Sequence, residues 1–556
     1  MKSSIMIVNI SGTERGFCQA GVLTALMVFV SIFSFYAFHA VHLGFIYDDR
    51  EQILAESQSL DFAEMQQIFT RPHFSNNSYY RPLARLLLKF QVAVFGKVPG
   101  NLHLLNCLLA ATMALLFFLL LQASVMRNSP SLGLFALFVG LHPVVSSCVY
   151  MISGQEALLA VVFMLLATWF FSVGRVKLAG LTALAGMLCR ENALMIVPFL
   201  TLFGTSSEKV NPDVEPSVDL AEGEAKFNTR RSESKRSQFM QVLPLWVAVL
   251  VYSVARMAVL SGSSAATLVA EPAKPVMAFL YLLQTVLLPD YDLVYEPSES
   301  AWLSARTLVA AILLVVGLFK LMRGSERVKA LPLIAWVFFM FLPTANLLQQ
   351  QTAYDERHNL VALPGFAGLC WVMIASLRWL KPGKLIALLL AGTLVFGFIS
   401  HNRARFFADD YQFATRWLQT DPEAGEAWAI MGTLLRDNGQ HNTARQFFEQ
   451  AIRFRPGMAS AYDNLGALLG ESGKHLEAAR YFRQAATLDP RNWYYRYNLG
   501  VSLVETGHFY EAHTQFCLAA MYNFDGGEGG HKLLPELTGV WYNIFRWRYS
   551  LTNPIF

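Results

Sequence analysis

Two adjacent carboxylates, Asp48 and Asp49, stand directly after the first long apolar stretch of the chain. A carboxylate at a membrane surface can act as general base toward a hydroxyl acceptor whose donor is anchored in lipid. A solvated helix terminus is the plain alternative. Arg81, in Tyr80-Arg81-Pro82 with Arg85 and Lys89 following, offers a guanidinium fork that fits phosphate oxygens. Interfacial snorkelling is the competing reading. Arg190-Glu191 interrupts an apolar run. Ionisable groups at membrane depth are costly and face a cavity or a partner, and mutual pairing is the structural alternative. His142-Pro143 and Gln155-Glu156 flank one turn, and Glu356-Arg357 opens a later helix. Capping suffices for His142, whereas Glu156 and Arg357 are the better cavity residues. Two vicinal aspartates do not make a metal site, because Mg²⁺ or Mn²⁺ needs more oxygen ligands in fixed geometry.

These residues must be positioned by apolar helices. The 556 residues are 54% hydrophobic and 15% charged, with a mean hydropathy of +0.37, against about 25% charged residues in a soluble globular protein. The bulk of the chain therefore belongs in lipid. Stretches long enough to cross recur near 18–45, 102–123, 132–150, 156–174, 178–190, 192–204, 239–260, 303–322, 330–348, 360–379 and 385–401. The pair 178–190 and 192–204 reads either as two tilted crossings or as one broken element, which lipid tolerates only where it lines a protein cavity. The first stretch is too long for the apolar part of a cleaved signal. Six cysteines show no CxxC or metal-type spacing and read as core thiols, with no disulfide framework.

Basic residues fall in alternate connections: Lys2 and Arg15, Arg127, Arg175 and Lys177, the run from Arg230 to Arg236, Lys320 to Lys329, and Arg378 to Lys384. The positive-inside rule makes those connections cytoplasmic. The segment 276–289 would break the alternation and reads as re-entrant or surface-lying. About eleven crossings result, with the N-terminus inside and the C-terminus outside. The outward loops 47–100, 261–302 (with Leu288-Pro289-Asp290-Tyr291) and 349–359 then carry the acidic pair, Arg81, Asp290 and Glu356-Arg357. The polar segment 205–238 reads as a disordered cytoplasmic linker.

Beyond the membrane domain, residues 1–402, the composition turns to soluble helix. A 34-residue period aligns 425–458, 459–492 and 493–526. Met431-Gly432, Leu465-Gly466 and Leu499-Gly500 are followed by Ala444/Phe448/Ala451, Ala478/Phe482/Ala485 and Ala512/Phe516/Ala519, with Pro456 and Pro490 closing the first two. This is the tetratricopeptide pattern. Residues 405–422 form half a repeat before the array, which occupies 403–530, and 531–556 is an aromatic and basic extension. The fold class is all-α, a polytopic membrane domain followed by a repeat solenoid.

Several stretches, in this order, resemble the GT-C glycosyltransferases, and more closely the transmembrane-and-tetratricopeptide O-mannosyltransferases and their bacterial relatives. They are Phe45-Ile46-Tyr47-Asp48-Asp49, Ser78 to Leu83, Leu102 to Asn106, His142-Pro143, Ile152 to Glu156, Cys189-Arg190-Glu191, Leu287 to Tyr291 and Glu356-Arg357-His358. Where that family has Lys before Glu, this chain has Arg190; where it tends to read Glu-Arg-Tyr-Leu, this chain has Glu356-Arg357-His358-Asn359. The resemblance implies that Asp48 or Asp49 is the catalytic base and that Arg81, Arg190 or Arg357 holds the donor phosphate, in a cavity that Glu191 also lines. Glu156, His142, Asp290 and Glu356 support the site. It implies a polyprenyl-phosphate sugar as donor, no certain cofactor, and a protein Ser/Thr hydroxyl as acceptor gathered by the repeat groove. It also implies an integral membrane location, a bacterial inner membrane before an endoplasmic reticulum, with the repeats periplasmic or lumenal; nucleic acid is not a partner. The competing readings are an O-antigen ligase or oligosaccharide polymerase, and a non-enzymatic envelope scaffold.

Overall fold

The computed structural model describes residues 19–47, 49, 53, 62–70, 79–124, 131–203, 220–260, 273–287, 305–324, 327–344, 356–377, 380–490 and 492–524. All regular elements among them are helices. The chain divides into two compact units, residues 1–70 with 80–409, and residues 71–79 with 410–556.

The first unit opens with α1 (Gln19–Ala40), α2 (Phe62–Thr70), α3 (Pro82–Phe95) and α4 (Pro99–Ser124). It continues with α5 (Ser131–Gly140), α6 (Pro143–Tyr150), α7 (Gln155–Ser172), α8 (Val176–Cys189) and α9 (Ile196–Phe203). Then follow α10 (Leu220–Leu260), α11 (Ala273–Leu287), α12 (Ala305–Arg323), α13 (Arg327–Phe341), α14 (Glu356–Asn359), α15 (Leu363–Ala375) and α16 (Pro382–Ala404). Helix α1 packs on α4, α4 on α7, α7 on α8 and α8 on α10. Gly180 permits the last crossing, since a Cβ there would lie 2.6 Å from the Pro244 carbonyl oxygen.

Among the described residues five helical spans are long and apolar enough to cross a membrane: Gly21–Ala40, Pro99–Ala123, Ile152–Ser172, Met240–Leu260 and Pro382–Phe407. A sixth is the pair α5 and α6, bent by 48°. The composition alone suggested about eleven. The helices Val176–Cys189, Glu191–Phe203, Pro275–Leu287 and Leu363–Ala375 are apolar but shorter, below the roughly 20 residues that a straight crossing takes.

The bend in 131–150 has a local cause. Pro143 lacks an N–H, and Val144 N and Val145 N donate instead to His142 Nδ1 and His142 O, so the Gly140 and Leu141 carbonyls lose their helical partners. Tyr36 Oη donates to Gly140 O at 3.0 Å and Ser400 Oγ to Leu141 O at 2.9 Å, which ties α1 and α16 to the break. The linker expected at 205–238 is replaced from Leu220 onward by the first half of α10. Its Ala, Glu, Lys, Arg and Gln content favours helix even without an apolar face.

The second unit holds α17 (Asp410–Thr420) and three hairpins: α18 (Gly425–Asp437) with α19 (His441–Phe454), α20 (Ala459–Glu471) with α21 (His475–Leu488), and α22 (Trp493–Glu505) with α23 (Phe509–Phe524). The period has a steric origin. A Cβ on Gly432, Gly466 or Gly500 would come within 2.7, 2.9 and 2.7 Å of the rings of Phe448, Phe482 and Phe516 respectively. Each phenylalanine is buried, worth about 1.5–3 kcal/mol apiece. Gly439, Gly473 and Gly507, at φ 74°, 76° and 77°, turn each hairpin in the left-handed region.

Candidate functional site

The site is organised by the turn that starts α7. After α6 the chain extends at Met151, makes one 3-10 turn over Ile152–Gly154 and enters α7. Gly154 lies against the backbone of Cys148, where any Cβ would collide. His103 and Asn106, three apart on α4 and so on one face, hold this turn. Asn106 Nδ2 donates to Met151 O at 2.7 Å and Cys148 O at 3.2 Å, and His103 Nδ1 lies 3.2 Å from Val149 O. The other His103 nitrogen lies 3.3 Å from Gly44 O, fixing the chain that leaves α1.

That chain turns at Tyr47, whose φ of 47° places a bulky residue in the left-handed region, a conformation uncommon outside functional turns. Asp49 N donates to Ile46 O at 2.9 Å. The Asp49 carboxylate is fully buried and accepts from Ile152 N at 3.0 Å on Oδ2 and from Ser153 N at 2.8 Å on Oδ1. These are first-turn N–H groups with no helical partner of their own. Burial pushes the Asp49 carboxyl up from its ordinary value, while His103, the two N–H donors and Arg357 pull it back. Arg357 reaches the same turn from α14, its Nη1 donating to Ser153 Oγ at 2.6 Å.

One turn further along, Glu156 meets Arg81 in a close ion pair. Pro82 keeps Arg81 off helical geometry, so Arg81 stands outside α3 at φ −129° and ψ 53°. Its Nε donates to Glu191 Oε2 at 2.9 Å, and Tyr80 N donates to Glu191 Oε1 at 3.0 Å. Arg256, from α10, places Nη1 3.6 Å from Glu191 Oε1 and donates to Tyr252 Oη at 3.2 Å. The Tyr252 ring lies 6.2 Å from that of Tyr80. Glu191 is thus a hub joining α3, the α8–α9 break and α10. Arg190, extended at that break, is buried.

The residues singled out in the sequence fall into three groups. Asp49, Arg81, Glu156, Glu191 and Arg357 gather around residues 152–156. His142 does not: its Nδ1 accepts from Val144 N at 3.2 Å and its Nε2 faces Val286 O at 3.0 Å, so it caps α6 and pins α11. Asp48, Asp290 and the Glu356 side chain lie outside the described residues. Lys89, placed beside Arg81 as a possible phosphate ligand, is buried. Sequence reasoning missed Arg256 and Tyr252. The signal was available, because an arginine within the apolar stretch 239–260 is itself a site marker. Among the described residues no group of three or more His, Cys, Asp or Glu is placed to hold a metal.

Comparisons with known proteins bear on the second unit. Residues 425–457 and 464–527 each match a tetratricopeptide repeat family, so the C-terminal hairpins are tetratricopeptide repeats. No curated protein matches the chain. Among solved structures, the crystal structure of the yeast Tom70 overlaps it at 12% identity, covering 76% of this chain and 93% of that one, with a TM-score of 0.23.

Proposed function

We propose that this chain is a membrane glycosyltransferase. It moves a monosaccharide, mannose or one like it, from a polyprenyl-phosphate donor to a Ser/Thr hydroxyl of a protein on the non-cytoplasmic side. The observation that carries this reading is the convergence of Asp49, Arg81, Glu156, Glu191 and Arg357 on the start of a single helix. Structural ion pairs do not require five distant segments to meet beside a left-handed turn that carries an acidic pair.

In this reading Asp49, with both oxygens taken by N–H groups, positions the turn, and the neighbouring Asp48 is the base. The Asp48 carboxylate takes the proton of the acceptor hydroxyl, whose oxygen attacks the anomeric carbon. The bond from that carbon to the phosphate oxygen breaks, and polyprenyl phosphate leaves with the electron pair and with inversion at the sugar. The leaving phosphate is already anionic, so nearby guanidinium charge rather than an acid eases its departure. The tetratricopeptide repeats collect the acceptor polypeptide in their concave face.

Transfer from labelled donor in membranes tests the assignment. Asp48→Asn abolishes transfer at unchanged protein level, and Asp49→Asn lowers it through a displaced turn. Full activity in both single variants and in the double variant sinks the assignment. A non-enzymatic scaffold is a second reading, favoured because repeats of this kind commonly serve protein–protein contact. It requires that both aspartates can be neutralised while the repeats remain essential.

A further inference from the structure

Two histidines meet where the first and last helices of the first unit end. His39 lies in the last turn of α1 and His401 in the last turn of α16, 362 residues apart in the chain. His401 Nδ1 stands 3.4 Å from His39 Nε2, with the ring centroids 5.0 Å apart and the planes at 59°. That approach is longer than the roughly 2.7–3.2 Å of a good hydrogen bond from nitrogen. Directed along both rings, a bond of this length places the centroids about 5.7 Å apart. Two imidazoles bound at about 2.05 Å to one tetrahedral ion have nitrogens about 3.3 Å apart and centroids about 5.2 Å apart. The observed pair lies closer to the second arrangement.

The rings are held in place before any ion arrives. Phe35 and Phe38 lie edge-on to His39 at 5.2 Å each, and Tyr150 at 6.1 Å. Tyr150 Oη also donates to the carbonyl of Ser400, the residue before His401, at 2.9 Å. One side chain of α6 thus touches the first imidazole and anchors the backbone of the second. Arg403, two residues beyond His401 and so on another face of α16, donates through Nη2 to Ser147 Oγ at 3.0 Å. His39 is buried and His401 exposed, so an ion reaches the pair past His401.

We propose that His39 Nε2 and His401 Nδ1 bind one Zn²⁺ ion, with water at its remaining positions. Imidazole suits zinc, and the spacing selects a tetrahedral ion over square-planar Cu²⁺, whose neighbouring ligands lie about 2.9 Å apart. Among the described residues no group of three His, Cys, Asp or Glu is placed to hold a metal, so the pair binds more weakly than a closed four-ligand centre. When filled, it clasps the first helix of the unit to the last and stabilises the fold by mass action. The site needs neither sugar nor lipid, and stands or falls apart from the transferase reading.

The test uses the full chain in nanodiscs, stripped with a chelator and titrated with Zn²⁺, with Co²⁺, which accepts zinc's geometry, and with Mg²⁺, which prefers oxygen ligands. Zn²⁺ raises the unfolding temperature progressively, and Co²⁺ develops the visible absorption of a four-coordinate ion, which Zn²⁺ then abolishes. Mg²⁺ does neither. Because His401 is exposed, His401→Gln removes a ligand without disturbing the core. It loses at least the roughly 10- to 100-fold in affinity that removal of a supporting partner costs. His39→Gln removes the other ligand and is the second variant. A Zn²⁺-dependent shift as large in His401→Gln and His39→Gln as in the unaltered chain overturns the site, as does no shift in the unaltered chain. A Co²⁺ spectrum without the four-coordinate absorption overturns the assigned geometry.

Discussion

Arg81 is the cation on which two carboxylates depend, and that asymmetry predicts the order of its variants. Arg81→Gln leaves Glu156 and Glu191 together, with Arg256 3.6 Å from one of them. The three side chains are 12%, 10% and 18% exposed, close to the buried limit, where removing one partner of an ion pair costs about 3–5 kcal/mol. Glu156→Gln or Glu191→Gln instead leaves Arg81 one carboxylate and removes one charge-assisted hydrogen bond, about 1.5–3 kcal/mol. The shift per kcal/mol falls with size, to about 1 °C for a unit as large as this one, so Arg81→Gln lowers the unfolding temperature by about 4–6 °C and each glutamine variant by about half that. Adding Glu156→Gln to Arg81→Gln removes an anion with the cation, so the double variant loses less than the sum. A thiol-reactive fluorophore in a heated detergent solution of the full chain reads the transition. It does so because Cys107, Cys148 and Cys189 are fully buried until unfolding. The reasoning is refuted if Arg81→Gln shifts the midpoint no more than Glu156→Gln does.

Two further outcomes follow from other parts of the molecule. Asp463, in the second repeat, is buried and accepts from Asn498 Nδ2 at 2.9 Å, and burial pushes its carboxyl from 3.8 up to about 6. Its folded pKa is raised, so the stability it contributes is full below about pH 4 and is lost as pH rises through 6. Asp463→Asn keeps the Asn498 bond and removes a penalty on the order of 3 kcal/mol at pH 7.5. Hydrogen exchange in α20, corrected for intrinsic rate, therefore slows about 100-fold at pH 7.5 and by less than about 4-fold at pH 4; equal effects at both values contradict this. Gly154→Ala places a methyl on the Cys148 backbone and costs about 1–3 kcal/mol through displacement of the turn, so transfer and thermal midpoint fall together, whereas a fall in neither contradicts the close approach.

The repeats were legible because their period records a contact within each hairpin: the glycine at 432, 466 or 500 exists to admit the phenylalanine sixteen residues on. The number of crossings was not legible, since hydropathy does not separate apolar surface given to lipid from apolar surface given to protein. In α15, Leu363, Phe366, Leu369, Trp371 and Val372 are all buried within the unit, yet they score as a membrane segment would. The charges of the site stood out against their apolar setting, but their pairing is a long-range property that spacing does not encode. Asp48 and Asp49 are chemically identical in sequence, and the left-handed turn at Tyr47 sends one of them inward. His142 shows the reverse case, a residue with a motif's prominence and a clamp's task.

The contact between Ser153 and Arg357 spans 204 residues. At a synthesis rate of roughly 5–20 residues per second, the arginine emerges about 10–40 s after the serine it binds. Through that interval the start of α7 exists without the cation that will complete it. Maturation of the site is therefore timed by the ribosome, and a chain truncated before α14 lacks this closing contact.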